Sequence, residues 1–325
     1  MSSPVALVTG SSAGVGRAAA TALYAKSFHV FISGRDAKRC AAAVAAIKLD
    51  TNKACAGDLD VLPMDLTDFA SVRRAASKIK GKRLELLVLN AGMLYHGSWN
   101  GPWRTKDGVD YLFAANHLGH FLLCELLLPQ LKAAGGGRVV IVSSIAHWVG
   151  AEALLDGDVS SVEAETDGEA RFRKSYARSK LANLLHAYEL QRRLLAEGSD
   201  VTVTPAAPGL VSTDIFSAVR GEPDAYKHAP PALQQAAVPP SMGAMTLLHA
   251  ALAEPAVPPM SWCVPYWTPP TYGCLGLDAI WEVEKSLELT QRRTWGVHVG
   301  KSSPTSRDAE LARKLWAYSA KAVGL

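Results

Sequence analysis

The chain lacks the cysteine pattern of a disulfide or zinc scaffold. Its five cysteines, Cys40, Cys55, Cys124, Cys263 and Cys274, are odd in number and include no Cys-x-x-Cys pair, which excludes a disulfide framework and a thiolate metal site. A reducing compartment, the cytoplasm, is expected. A charge excess is lacking too: 34 Lys and Arg stand against 30 Asp and Glu. These are spread through helical stretches, which argues against a nucleic-acid surface. No long apolar run is present. The most apolar stretch, "LGHFLLCELLL", falls short of the roughly 18 to 20 residues that span a bilayer and carries His120 and Glu125. A buried helix is expected there, and peripheral membrane contact remains compatible with the sequence. The opening "MSSPVALVTG" has neither the basic region nor the apolar core of a signal peptide. His117, His120 and His147 lack carboxylate or thiolate partners at ligand spacing, so structural roles and no metal site are expected.

What is present is 325 residues, 49% of them hydrophobic, enough for a large buried core. Short β-branched runs alternate with helical stretches: "VALVT", residues 15–25, "HVFIS", 37–49, "LDVLPM", 69–79, "LELLVLN". A long helix over 109–133, the strand "RVVIVSS", a helix over 175–196 and the strand "VTVTPAAPG" follow. This alternation predicts repeated βαβ units, and strands that are apolar throughout predict helices on both faces of a parallel sheet. The expectation is one α/β domain, a doubly wound parallel sheet. Beyond Gly209 the order weakens. Residues 211–241 and 255–276 are proline-rich and read as too irregular for core strands. Residues 242–253 and the C-terminal "RDAELARKLWAYSAKAVGL" read as helices. The region 211–300 is expected to cover the substrate, and the acidic stretch 147–172 to be a solvated loop.

The first strand empties into "TGSSAGVGR" ahead of a helix. Glycines at such a junction let the backbone approach a pyrophosphate, and the helix N-terminus offers free N–H donors and a favourable dipole. This turn resembles that of the short-chain dehydrogenase/reductase family, Thr-Gly-x-x-x-Gly-x-Gly. The resemblance extends to "LVLNAG", where Leu89 replaces the family's first Asn while Asn90, Ala91 and Gly92 match. It implies a Rossmann fold and a nicotinamide dinucleotide held by Thr9, Gly10, Ser11, Ser12, Gly14, Val15, Gly16 and Arg17. Asp65 and Leu66 would lie near the adenine, Asn90 to Gly92 beside the cofactor, and Pro208, Gly209, Val211 and Thr213 over it. At the end of the second strand, "HVFISGRDAK", Gly34 takes the position where NAD-binding proteins carry an acid, and Arg35 follows. That favours NADP(H), since a guanidinium holds a 2′-phosphate in bidentate fashion. A shift of one residue would instead make Asp36 an NAD-type carboxylate.

The stretch "KSYARSKLANLL" places Tyr176 and Lys180 on one helix face. Reduction of a carbonyl needs a proton donor at the oxygen, and a phenol has an ordinary pKa of about 10. At about 4 Å and an effective dielectric near 20, an ammonium contributes on the order of 4 kcal/mol, enough to bring the phenol toward neutral pH. Lys180 is therefore expected to lower the pKa of Tyr176. In the family such a pair follows the fifth strand, whose end carries a serine. "RVVIVSSIAH" offers Ser144, with Ser143 as the other choice, and "AANHLGHFLL" offers Asn116 for a proton relay through Lys180.

Thirty-two positions separate Ser144 from Tyr176, more than is usual in the family, and the acidic stretch accounts for the excess. "NHLGHFLL", "SSIAH", "SKLANLL" and the C-terminal segment resemble, more narrowly, the retinol-dehydrogenase-like and WW-domain-oxidoreductase-like branch. The resemblance implies a lipophilic carbonyl or alcohol as substrate, and a homo-oligomer is compatible with it. Trp99, Trp103, Trp148, Phe216, Trp262, Tyr266, Trp267 and Tyr272 fall in segments expected near the crevice and read as pocket walls or as packing contacts. The alternative to an enzyme is a non-catalytic NADP-binding regulatory or scaffold protein of the same fold.

Overall fold

Apolar strands need cover on both faces, and successive strand residues point to opposite sides. In the computed structural model, which describes residues 3–51, 57–94, 102–149, 168–213, 215, 237–265 and 297–325, both requirements are met. Strands β1 (Val5–Thr9), β2 (His29–Gly34), β3 (Asp58–Pro63), β4 (Leu86–Leu89), β5 (Arg138–Val142), β6 (Thr202–Ala206), β7 (Trp262–Pro265) and β8 (Val297–Gly300) form one sheet in the order 3-2-1-4-5-6-7-8. The first seven run parallel and β8 closes the edge antiparallel to β7.

Helices α1 (Gly14–Ala25), α2 (Ala37–Asp50), α3 (Phe69–Lys78), α4 (Tyr111–Ala133), α5 (Gly168–Ala196), α6 (Pro240–Leu252) and α7 (Ala309–Val323) sort onto the two faces. Ala6, Val8, Leu86, Val88, Val140 and Val142 pack with residues of α1, α2 and α6. Their neighbours Leu7, Leu87, Leu89, Val139 and Ile141 pack with α3, α4, α5 and α7. The direction of the strand order reverses between β1 and β4, so the crevice of the fold opens at their carboxyl ends.

Three expectations are corrected. The first concerns the proline-rich stretch 255–276, which contains β7, with Trp262, Cys263 and Val264 buried. Pairing there is brief, through Ala206 and Cys263 on one side and β8 on the other, so no alternation or length marked it. A related conflict dissolves in β6. Ser143 N–H donates to Ala206 O at 2.8 Å and Ala207 N–H to Cys263 O at 2.9 Å. By alternation Pro205 turns its nitrogen toward β7, ahead of the point where that ladder begins, and its missing donor costs no bond.

Second, α5 begins at Gly168, so the end of the acidic stretch is helical, while residues 150–167 lie outside those described. Third, the apolar run, a buried helix as expected, belongs to a longer 23-residue helix, α4, whose 18-residue apolar window has a mean hydropathy of 1.3. That helix is long and apolar enough to cross a membrane, yet 72% of its apolar window is buried within the fold, as in the core helix of an α/β protein. A π-helical turn, Ala114–Leu118, interrupts it.

Two close approaches fix α4 and α7. A Cβ at Gly119 would stand 2.8 Å from Leu66 Cβ and overlap the Leu66 carbonyl, so only glycine lets α4 lie against the segment after β3. At the C-terminus Asp308 caps α7, accepting from Glu310 N and Leu311 N. Arg73 of α3 donates to the Val323 carbonyl at 2.7 Å and the Gly324 carbonyl at 3.2 Å. Gly119→Ala is expected to lower stability by about 2 kcal/mol, seen as a lower urea midpoint with little change in the slope.

Candidate active site

The site grows from the carboxyl ends of β1, β4 and β5. After β1, Ser11 closes the turn: its hydroxyl donates to Val8 O at 2.7 Å and accepts from Ser33 N at 2.9 Å. Thr9 ties the turn to β4, its hydroxyl oxygen accepting from Asn90 N at 2.9 Å and Ala91 N at 3.0 Å. Asn90 Nδ2 donates back to the Thr9 carbonyl at 2.9 Å. A Cβ on Gly16 would overlap Asn90 Nδ2 and come within 2.5 Å of Gly10 O, which explains the glycine. The hydroxyls of Thr9 and Ser11 and the amide of Asn90 thus build the turn, leaving its backbone to face a ligand. Above it, Thr213 lies 3.3 Å from a Cβ built on Gly14, and Val211 pairs with Val238 beside α6. Pro208 and Gly209 lead from β6 into this segment.

This turn fits a pyrophosphate. Asp36, Asp68 and Asp308 cap α2, α3 and α7, whereas α1 has Ala13 at its N-cap, with no side-chain cap, and no acid in its first turn. Its first N–H groups are therefore available to an anion. Gly34 offers no carboxylate. Arg17 and Arg35 are exposed, and neither makes an ion pair among the described residues. Asp36 accepts from Lys38 N at 2.8 Å and Arg39 N at 3.2 Å, which makes it a helix cap, as its place before α2 requires. Asp65 accepts from Thr67 N at 2.9 Å and from the Thr67 hydroxyl at 2.7 Å, holding the bend that presents Leu66.

At the end of β5 the two serines have separate tasks. The Ser143 hydroxyl donates to Lys180 O at 2.7 Å, pinning α5 to the strand. The side chain of Ser144 hydrogen-bonds the Tyr176 phenol. Of the two serines, Ser143 is thus committed to the backbone of α5, and Ser144 is the one beside the phenol. Lys180 is buried, 3% exposed, with one long bond to Val142 O at 3.4 Å and its Nζ 3.3 Å from a Cβ built on Gly92. An ammonium so sparsely partnered in the crevice suits ribose hydroxyls. Asn116 is fully buried: Oδ1 accepts from Met93 N at 2.8 Å, and Nδ2 donates to Met93 O at 2.9 Å and Ser179 Oγ at 3.0 Å. Its side chain is engaged in holding the segment after β4, so a relay water would meet its backbone.

The expected depression of the phenol is not found. Burial pushes Tyr176 up to about 12, opposed by the Ser144 hydrogen bond, and Tyr176 is itself half-buried. Lys180 Nζ stands 5.5 Å from the centre of the phenol ring and turns toward Val142 O, so proximity along the helix does not become an ion–phenol contact. Burial pushes Lys180 down from 10.5 to about 8.

Behind the reacting groups lies a second set of polar residues that the motifs did not mark. Asn183 Nδ2 donates to Val142 O at 3.0 Å, leaving Asn183 Oδ1 to face His117 Nδ1 at 3.3 Å, while His117 Nε2 meets the Ser319 hydroxyl at 2.9 Å. The Val142 carbonyl that takes the Lys180 ammonium is thus linked to α7. The signal was present in "NHLGHF" and "SKLAN", polar residues one turn from reacting groups. His147 holds Ser144 O at 2.7 Å and accepts from Ser303 N at 3.2 Å. Trp262, expected in a loop, belongs to β7 and packs on Leu184, Tyr188 and Val264. Trp103 packs on Leu112, and Trp148 lies beside His147. Trp99, Phe216, Tyr266, Trp267 and Tyr272 lie outside the described residues.

A base whose folded pKa lies below its unfolded value binds fewer protons when folded, so its burial destabilises at low pH and the cost fades as pH rises through that value. Lys180→Met is accordingly expected to raise stability at pH 7 by about 3 kcal/mol, from the drop of 10.5 to about 8. The gain should shrink above pH 8 in paired urea titrations.

Comparison with known proteins agrees with this geometry. Residues 4–154 match the short chain dehydrogenase family. Human retinol dehydrogenase 12 is 31% identical over 324 residues, covering 99% of this chain and 86% of that one. Human polyprenol dehydrogenase is 40% identical over 222 residues, 66% of this chain and 63% of that one. A crystal structure of an uncharacterised protein from Mycobacterium paratuberculosis superposes with a TM-score of 0.69 at 29% identity, covering 99% of this chain and 94% of that one. With a dinucleotide turn, a serine–tyrosine pair and a buried lysine in one crevice, and relatives of this kind along its whole length, the chain belongs to the short-chain dehydrogenase family, in its retinol-dehydrogenase-like branch.

Proposed function

We propose that the protein is an NADP(H)-dependent oxidoreductase that interconverts a carbonyl and an alcohol on a lipophilic small molecule. What supports this is the gathering of Ser144, at the end of β5, the Tyr176 phenol and the buried Lys180, whose Nζ lies 5.5 Å from the phenol ring centre. A bound nicotinamide supplies or takes up the hydride. In reduction the Tyr176 hydroxyl gives its proton to the substrate oxygen as the alcohol forms, and Ser144 holds that oxygen in place. At neutral pH the phenol is in its acid form, the form that reduction uses. Lys180 holds the ribose and brings positive charge to the crevice, and Asn116 positions the strand end from Asn90 to Met93.

Two features support NADP(H) over NAD(H): Arg35 and Arg17 flank the turn, and Asp36 is engaged as a helix cap. The lipophilic substrate is supported by the polyprenol and retinol dehydrogenases among its relatives, whose names give lipophilic alcohols as their substrates. The alternative, a non-catalytic NADP-binding protein of this fold, has against it the retention of Asn116, Ser144, Tyr176 and Lys180 in one constellation.

Tyr176→Phe is expected to lower kcat for a lipophilic aldehyde by about 10²- to 10⁴-fold while NADPH binding is kept. Unchanged turnover would sink the assignment. Arg35→Ala should raise the Kd for NADPH by about tenfold or more and leave NADH nearly unaffected, because a charge-assisted phosphate contact is lost. An intact protein that prefers NADH would overturn the cofactor assignment.

A further inference from the structure

His120 lies on α4 one turn after Asn116, is 1% exposed and touches both halves of the site. Its Nε2 is 2.8 Å from the Thr9 hydroxyl, and its Nδ1 is 3.2 Å from the Asn116 carbonyl. The polarity of this bridge follows from its partners. A carbonyl only accepts, so Nδ1 carries the proton. The Thr9 oxygen already accepts from Asn90 N and Ala91 N, which fills both lone pairs, so it must donate to Nε2 rather than receive from it. Its other acceptor, Val88 O, lies at 3.4 Å, a poorer bond. Burial, with Lys180 adding to it, pushes the imidazole down to about 3, so the ring stays neutral.

We propose that His120, as the Nδ1–H tautomer, is a positioning residue that couples the Asn116 carbonyl in the π-helical turn to Thr9 at the dinucleotide turn. Because Thr9 also receives the N–H groups of Asn90 and Ala91, a shift of the dinucleotide turn reaches Asn116 by two routes, through the segment after β4 and through the imidazole. The two ends of the crevice are thereby held in one register. This inference rests on the oxidoreductase reading above.

The two bonds are separable by conservative variants. The side-chain amide of Asn reaches the place of Nδ1, and that of Gln the place of Nε2. With NADPH and a lipophilic aldehyde, His120→Asn is expected to keep kcat within about threefold while the Kd for NADPH rises about tenfold. His120→Gln is expected to do the reverse, the scale being that of one buried hydrogen bond. Equal losses of both quantities in the two variants, matching His120→Leu, would reduce His120 to a packing residue, and no change in either would also overturn the proposal. Nitrogen-15 NMR of the wild-type imidazole at neutral pH gives a reading independent of turnover and of how any variant folds. A protonated Nδ1 with a bare Nε2 is expected, and a protonated Nε2 overturns the assignment. Should the wild type reduce no aldehyde, the functional reading fails while the tautomer and the NADPH affinities still decide the coupling.

Discussion

The structure depends most on how β1 and β4 are held where their continuations part. Neighbouring parallel strands share a ladder only as far as their chains run together. Here the chain after β1 turns into α1, while that after β4 runs toward α4. The Thr9 hydroxyl and the Asn90 amide continue the strand contact past the end of the ladder, with three hydrogen bonds between them and the Ala91 N–H. Because these groups lie among buried neighbours, an unmade bond there would cost more than the bond itself contributes. The glycine turn on one side and the Asn116–Met93 contact on the other both hang from this junction, so it sets the width of the crevice.

Much of this could be read from the residues because the physics was local. Strands β1 to β6 announce themselves as apolar runs between helical stretches, whereas Asp36, open in the sequence to reading as a ribose-binding carboxylate, shows itself a cap only with α2 in place. What escaped is what depends on distant partners. Ser143 and Ser144 are chemically identical until the Lys180 carbonyl engages one of them. The pKa of the phenol depends on where the ammonium turns, and a spacing of four along a helix does not say that it turns toward Val142 O. Strand β7 is recognisable only with β6 and β8 beside it, since four residues carry no pattern and prolines surround them.

The site also shows how an α/β core tolerates polar interior groups. Lys180, Asn116, His117, His120 and Asn183 are all buried, yet nearly every donor among these five meets an acceptor, and the neutral imidazoles of His117 and His120 each carry a proton toward an oxygen. Among these five the exception is Lys180, with one long bond. A cation held in such surroundings weakens the folded state and at the same time gives the crevice its affinity for polar oxygens, so stability and function pull against each other at that residue.

The link from Val142 O through Asn183 and His117 to Ser319 has a consequence in time. A ribosome delivers the reacting residues by Lys180 but needs on the order of ten seconds more to deliver Ser319. Until then His117 lacks its partner on α7, and Leu315 and Val323 do not yet cover the core. A nascent chain thus holds the residues gathered at the crevice well before the contact that joins His117 to α7 can form.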